Sequence, residues 1–232
     1  MSNSAYRSLS LDGDWFLAAP EDLVSLVESN REPSTPAPGA PPPQSLIAEL
    51  AAAPAHVPDG EGGGALQAAA REDGYRLVKV GVPGCWERGA LPKPYEGPAW
   101  FIRSFPVDSS LLDCSHLRLE FDAVSYFATV WLNGAKLGEH RGIWDPFSFD
   151  VTALLEPENT LAVEVYKPWE YFPVRESLAG FIPYVTTTFG GIWQSVRVAC
   201  RDTLELAELF ARPFVDDDGR FWFSPSLSMD NG

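Results

Sequence analysis

From residue 76 to residue 200 apolar residues recur at every second position, in runs of five to nine residues separated by turn formers. RLVKVGV (76–82) ends at Pro83-Gly84, and WFIRSFPV (100–107) alternates in the same way. LRLEF (117–121) puts Leu117, Leu119 and Phe121 on one face and Arg118 and Glu120 on the other. FATVWL (127–132) and AKLGEH (135–140) flank Asn133-Gly134, the pair that a tight type I′ hairpin turn demands. FSFDV (147–151), TLAVEVY (160–166) and IWQSVRVAC (192–200) complete the series, and Asp150 is placed to cap the turn that follows it. Strands this short and this closely spaced specify an all-β sandwich or barrel. No helix alternates with them, which excludes a parallel sheet built from βαβ units. Trp15, Trp100, Trp131 and Trp193 fall within predicted strands and are assigned to the core.

The N-terminal third reads differently. LSLDGDWFL (9–17) is a strand with a turn at Asp12-Gly13. Residues 20–75 then collect Pro, Ala and Gly clusters such as PSTPAPGAPPP and GEGGGALQAAA. They carry nine acids against two arginines, −7 of the chain's −15. Such composition builds no core of its own. The segment is expected to be a surface insertion or mobile loop whose removal over residues 30–70 leaves the fold intact, with a small helical subdomain as the alternative. DLVSLVES and QSLIAELAAA within it have helical spacing.

The net charge of −15 repels nucleic-acid phosphates and anionic membrane surfaces. No run reaches the ~18 apolar residues of a membrane helix. The first twenty residues lack the basic start and apolar stretch of a signal peptide. Cys85, Cys114 and Cys200 form neither a disulfide framework nor a zinc pattern, and read as buried free thiols of a reducing, cytoplasmic compartment. No metal or other cofactor is expected.

Two loops hold the chemistry-bearing residues. HRGIWDPF (140–147) offers Trp144 and Asp145. WEYFPVRESLAGFIPY (169–184) offers Trp169, Tyr171, Arg175 and Tyr184. Aromatic platforms beside planar polar groups suit pyranose rings, whose C–H faces are apolar and whose rims are hydroxyls. Glycoside hydrolysis needs two carboxylates flanking one bond. Glu156 and Glu158 read instead as a solvated turn, and Asp216, Asp217 and Asp218 as a hairpin turn. His56, His116 and His140 are scattered, and no Ser-His-Asp or Cys-His arrangement is present.

A set of motifs in fixed order carries a resemblance. LDGDW (11–15), VPGCWE (82–87), YEGPAWFIRSF (95–105), LRLEFDAVSYFATVWLNGAKLG (117–138), PFSFDVTALL (146–155), ENTLAVEV (158–165) and FGGIWQSVRV (189–198) together resemble the N-terminal sugar-binding domain of glycoside hydrolase family 2. The resemblance implies a jelly-roll, galactose-binding-like β-sandwich over 1–202, with 203–232 as the first strands of an immunoglobulin-like domain. It implies a parent enzyme, a retaining β-glycosidase, whose catalytic barrel with both catalytic glutamates this chain lacks; no Asn-Glu dipeptide occurs in it. The partners implied are carbohydrate and that barrel, and homo-oligomers are left open. The family's galactosidase- and glucuronidase-like members place an aspartate where Val185 stands here, which counts against those two substrates. Arg175 or Tyr184 is left to serve in its place, and an arginine would favour an acidic sugar. A free-standing carbohydrate-binding module and a purely structural interaction domain are the competing readings.

Overall fold

The computed structural model describes residues 7–20, 42–52, 68, 70–91, 95, 98–168, 188–201 and 204–231. Ten of its strands form two antiparallel sheets. The smaller orders β1 (Ser8–Ser10), β10 (Val196–Arg201), β5 (His116–Phe121) and β8 (Phe147–Asp150) in that sequence. The larger runs β3 (Tyr75–Val82), β2 (Gly13–Pro20), β4 (Ala99–Pro106), β9 (Glu158–Tyr166), β6 (Phe127–Leu132) and β7 (Ala135–Arg141). Among the described residues, β11 (Leu204–Val215) and β12 (Phe221–Asn231) pair only with each other. The result is the β-sandwich that the alternation requires. Among the described residues no helix is long and apolar enough to cross a membrane.

The core lies between the sheets. Trp15 and Leu17 from β2, Phe101 and Phe105 from β4, and Leu161, Val163 and Val165 from β9 meet Leu117, Leu119 and Phe121 from β5 and Val196 and Val198 from β10. Each set is spaced by two or four along its strand, as one face of a pleated strand must be. The predicted first strand divides in two. Asp12 accepts hydrogen bonds from Val196 N (3.0 Å) and Ser195 Oγ (2.8 Å), and Gly13 takes φ +116°. The chain thereby crosses from the smaller sheet to the larger within three residues. IWQSVRVAC also shortens: Ile192 through Ser195 approach Gly84, Ala123 and Asp122 through isolated backbone bonds, and the strand begins at Val196.

Part of the Pro/Ala-rich segment is structural, against the expectation of a dispensable surface loop. Helix α1 (Gln44–Ala52) lies on the far face of the larger sheet. Leu46 and Ala70 are fully buried there with Trp100, Ile102, Trp131 and Ala162. Asp73 Oδ2 accepts the Leu46 N–H at 2.9 Å, satisfying one of the amides that a helix start leaves unpaired. The run DLVSLVES lies outside the described residues.

The cysteine reading is overturned at two positions. Cys114 and Cys200 form a disulfide, with Cα atoms 5.9 Å apart across 86 residues, and only Cys85 is free. Spacing along the chain gave no warning, because the pairing comes from β5 and β10 lying side by side, with Cys200 opposite Leu117. Cys114 follows α2 (Ser109–Leu112), whose first turn is capped by Asp108 Oδ1 on Leu111 N at 3.0 Å.

Candidate functional site

Four segments meet at one corner of the sandwich: the 3-10 turn Trp86–Arg88, residues 125–126, the loop 141–146 and the limb 188–193. Trp86 anchors the corner. It is buried, stacks on Phe101 with ring centroids 6.4 Å apart, and meets Tyr95 edge-on at 6.1 Å. Its backbone N–H donates to Gly190 O at 3.1 Å. Gly190 has no alternative residue, because a Cβ there would sit 2.1 Å from the Trp86 ring. Ser125 and Gly191 exchange backbone hydrogen bonds of 2.9 and 3.1 Å, and Ser125 Oγ donates to Phe189 O at 2.7 Å.

The limb is also held by charge. Lys167, 4% exposed at the end of β9, lies 3.3 Å from Glu87 Oε1, and Gly190 N–H donates to Glu87 Oε2 at 3.2 Å. Burial pushes the Glu87 carboxyl above its ordinary range, and the Gly190 amide and Lys167 offset part of that shift. Thr188 Oγ1 donates to Pro168 O at 2.8 Å.

The loop 141–146 rests on this limb. Gly142 N–H donates to Tyr126 O at 3.1 Å, and Arg141 Nε donates to Tyr126 Oη at 2.8 Å, its guanidinium 5.6 Å from the Tyr126 ring centre. Ile143 is buried and its carbonyl accepts the Trp193 indole N–H at 2.9 Å. Trp144 stands edge-on to Trp193 at 5.3 Å, and Phe189 meets the other side of Trp193 at 5.8 Å. Trp144 remains 60% exposed, and Asp145 beside it is exposed as well. His140 stacks on Phe147 at 4.0 Å; desolvation lowers its pKa, and the Asp145 charge works against that shift.

Trp144 and Asp145 are therefore brought to an aromatic ridge, as two of the residues singled out from sequence. Trp193 is corrected: it is half-buried, precedes β10 and supports Trp144 rather than the core. Trp15, Trp100 and Trp131 are buried. Trp169, Tyr171, Arg175, Tyr184 and Val185 lie outside the described residues. Phe189, Tyr126, Glu87 and Lys167 are not singled out by the sequence. VPGCWE and FGGIW carry Glu87 and Phe189, but that these segments meet is a tertiary fact.

Outside this corner the acids divide between solvent and a turn. Glu156 and Glu158 are exposed at the start of β9, and Asn159 turns there, accepting Glu156 N at 2.9 Å. Asp216 accepts Asp218 N, Arg220 N and the Trp222 indole N–H within its hairpin turn. A groove of about 480 Å³ separates α1 from the start of β9, lined by Gln44, Ile47, Ser104, Asn133, Glu156 and Thr160. The Ser104 and Thr160 hydroxyls in it face each other at 3.3 Å, and Asn133 bonds Asn159. Among the described residues no group of three or more metal-ligating side chains occurs.

Comparison with known proteins follows the same outline. The family model of the glycosyl hydrolase 2 galactose-binding domain-like region matches residues 95–201. A β-galactosidase of Thermoanaerobacter pseudethanolicus is 30% identical over 106 residues, 44% of this chain and 14% of that protein. A mannosylglycoprotein endo-β-mannosidase of Lilium longiflorum is 39% identical over 71 residues, 30% of this chain and 7% of that protein. The fold is similar to that of a β-galacturonidase of Eisenbergiella tayi, solved with galacturonate, at TM-score 0.57 and 18% identity over 98% of this chain and 30% of that one. The chain thus spans a small part of the length of the relatives it matches.

Proposed function

Residues 95–201 match the glycosyl hydrolase 2 galactose-binding domain-like model, and we propose that the chain is the N-terminal part of a β-glycosidase and braces a catalytic barrel carried elsewhere in the polypeptide. The observation that carries this reading is coverage: the match lies inside proteins of which the chain accounts for 14% or 7%. The lack of any Asn-Glu dipeptide agrees with it, as does the duty of the Asp216 carboxylate within its hairpin turn. Residues 203–232, with the hairpin β11–β12, are the start of a second, immunoglobulin-like domain in this reading. Hydrolysis of the O-glycosidic bond belongs to the barrel, and this domain lends it a substrate-facing edge. The test is twofold. Purified 1–232 should not hydrolyse aryl β-galactosides, β-mannosides or β-glucuronides, and the coding sequence downstream should supply several hundred residues including an Asn-Glu dipeptide. Turnover by the isolated chain overturns the reading.

One observation favours a second role within the same chain. An indole that is 60% exposed and braced from behind by another indole offers a flat apolar face for a pyranose ring. Asp145 supplies an acceptor beside it. In this role the domain binds carbohydrate by itself, without cutting. Titrating the chain with methyl β-D-galactopyranoside should give saturable shifts of the Trp144 indole, lost in Trp144→Ala.

A further inference from the structure

The Trp144–Trp193 ridge stands on the limb 188–193, and that limb is tied down at one partly buried carboxylate. Glu87 uses its two oxygens for two segments far apart in sequence. Oε1 lies 3.3 Å from Lys167 Nζ at the end of β9, and Oε2 accepts the Gly190 N–H at 3.2 Å. Residues 168–189 intervene between these ends in sequence, yet one side chain reaches both.

We infer that Glu87 is a positioning residue for the aromatic ridge, a partly buried clasp that fixes where the 188–193 limb, and so Trp193, sits relative to the 141–146 loop. The inference rests on the carbohydrate-contact reading given above and names the group that makes the contact possible.

Three arguments support it. A desolvated ion pair adds little net stability, because the loss of hydration offsets most of the attraction, and apolar side chains would serve as well for stability alone. What the pair does supply is geometry: a carboxylate with two directed acceptors, one per limb. The neighbouring contacts run the same way. Trp86 N–H to Gly190 O, the missing Cβ of Gly190 against the Trp86 ring, and Ser125 Oγ to Phe189 O fix the same few residues from two more sides. The path onward is continuous: Phe189 packs edge-on to Trp193, whose indole N–H is held by Ile143 O, and Trp144 leans on Trp193. A shift of the limb therefore reaches the exposed ring without passing through the sandwich core.

The experiment uses the full chain and the variants Glu87→Gln, Glu87→Ala and Lys167→Met, with methyl β-D-galactopyranoside as probe. Three quantities are read: hydrogen exchange at the Gly190 amide, the chemical shift of the Trp193 indole N–H, and the probe's Kd. Melting temperature serves as a control for folding. Glu87→Ala should speed Gly190 exchange by about tenfold or more, move the Trp193 resonance, and raise Kd several-fold. Glu87→Gln keeps an amide oxygen for Gly190 N–H and should recover most of the exchange protection; if Glu87→Ala does not fold, Lys167→Met carries the test through the Trp193 resonance. Lys167→Met should leave the Gly190 bond and release the β9 end, giving the smaller effect on Trp193. A lower melting temperature with Gly190 exchange and the Trp193 resonance unchanged would show that Glu87 is only part of the packing, and would overturn the inference. If the wild-type chain does not bind the probe while Gly190 and Trp193 respond as described, the clasp stands and the carbohydrate reading is the one that fails.

Discussion

The two faces of the larger sheet are both apolar and both buried, but they are buried by different means. The inner face presents Leu17, Phe101, Val163 and Val130 to a second sheet, strand against strand. The outer face presents Trp100, Ile102, Trp131 and Ala162 to one helix and one alanine from a segment rich in Pro, Ala and Gly. β9 records the difference: Leu161, Val163 and Val165 point inward, yet Thr160, Ala162, Glu164 and Tyr166 on the other side are buried too. Periodicity identifies which residues share a face. It does not say whether a face meets water, a sheet or a helix.

Substitutions can separate the two means of burial. Phe101→Ala on the inner face should cost about 3–5 kcal/mol, as a large aromatic lost from a packed interior does, read from urea unfolding. If the loss falls under about 1 kcal/mol, the inner layer is looser than its packing indicates. The Cys114–Cys200 disulfide closes the same layer on the side of the smaller sheet. Replacing both cysteines with serine should cost about 2–4 kcal/mol, and the unreduced protein should titrate with one thiol, Cys85. Three titratable thiols would restore the reading of a chain kept reduced; one thiol points to a chain that matures among oxidants. On the outer face, Leu46→Ala should cost about 2–3 kcal/mol, near the lower end for a buried leucine because a single helix relaxes more easily than a sheet. A change under about 0.5 kcal/mol would make α1 dispensable, as the composition of its segment first suggested.

A smaller effect should appear as a slope against pH. The Glu87 carboxyl is held above its ordinary value mainly by desolvation. Between the ordinary and the raised value the native chain holds more protons than the unfolded one, so stability falls as pH rises through that window. Glu87→Gln should flatten that part of the profile, and an unchanged slope would mean that the group titrates as in water. The smallest change in stability belongs to Trp144→Ala, within about 0.5 kcal/mol for a ring 60% exposed, although the same variant should abolish carbohydrate binding. A large loss of stability there would make Trp144 a packing residue.

The sandwich was legible because its strands are short, regular and separated by turn formers; the Asn133-Gly134 turn has both residues at positive φ, as read from sequence. Asp150 does cap its turn, accepting Thr152 N at 2.9 Å. The misreadings share one cause, that long-range partners leave no local pattern. The turn at Asp12-Gly13 is legible, but its anchor, the Asp12 carboxylate on Val196 N 184 residues away, is not. Trp193 sits in an alternating run and still leaves the core, because its indole N–H is claimed by Ile143 O. Of the ridge, Trp144 and Asp145 could be found as an aromatic-acid pair in a loop. Glu87 could not, since a glutamate after a tryptophan becomes meaningful only once Lys167 and Gly190 are beside it.

The hairpin tip at Asn133 bears on how the chain tolerates insertion. A tip of this kind usually projects into solvent and accepts extra residues. Here Asn133 Oδ1 accepts Thr160 N at 2.9 Å, its Nδ2 donates to Leu154 O and Asn159 Oδ1, and its backbone N–H donates to Thr160 O. The turn is thereby knotted into the start of β9, and a peptide tag or a permuted terminus placed at 133–134 would unpick a central strand. The Asp216–Gly219 turn satisfies itself through Asp216 alone, within residues 216–222. Of two tips that look alike in sequence, only the second is a place to graft.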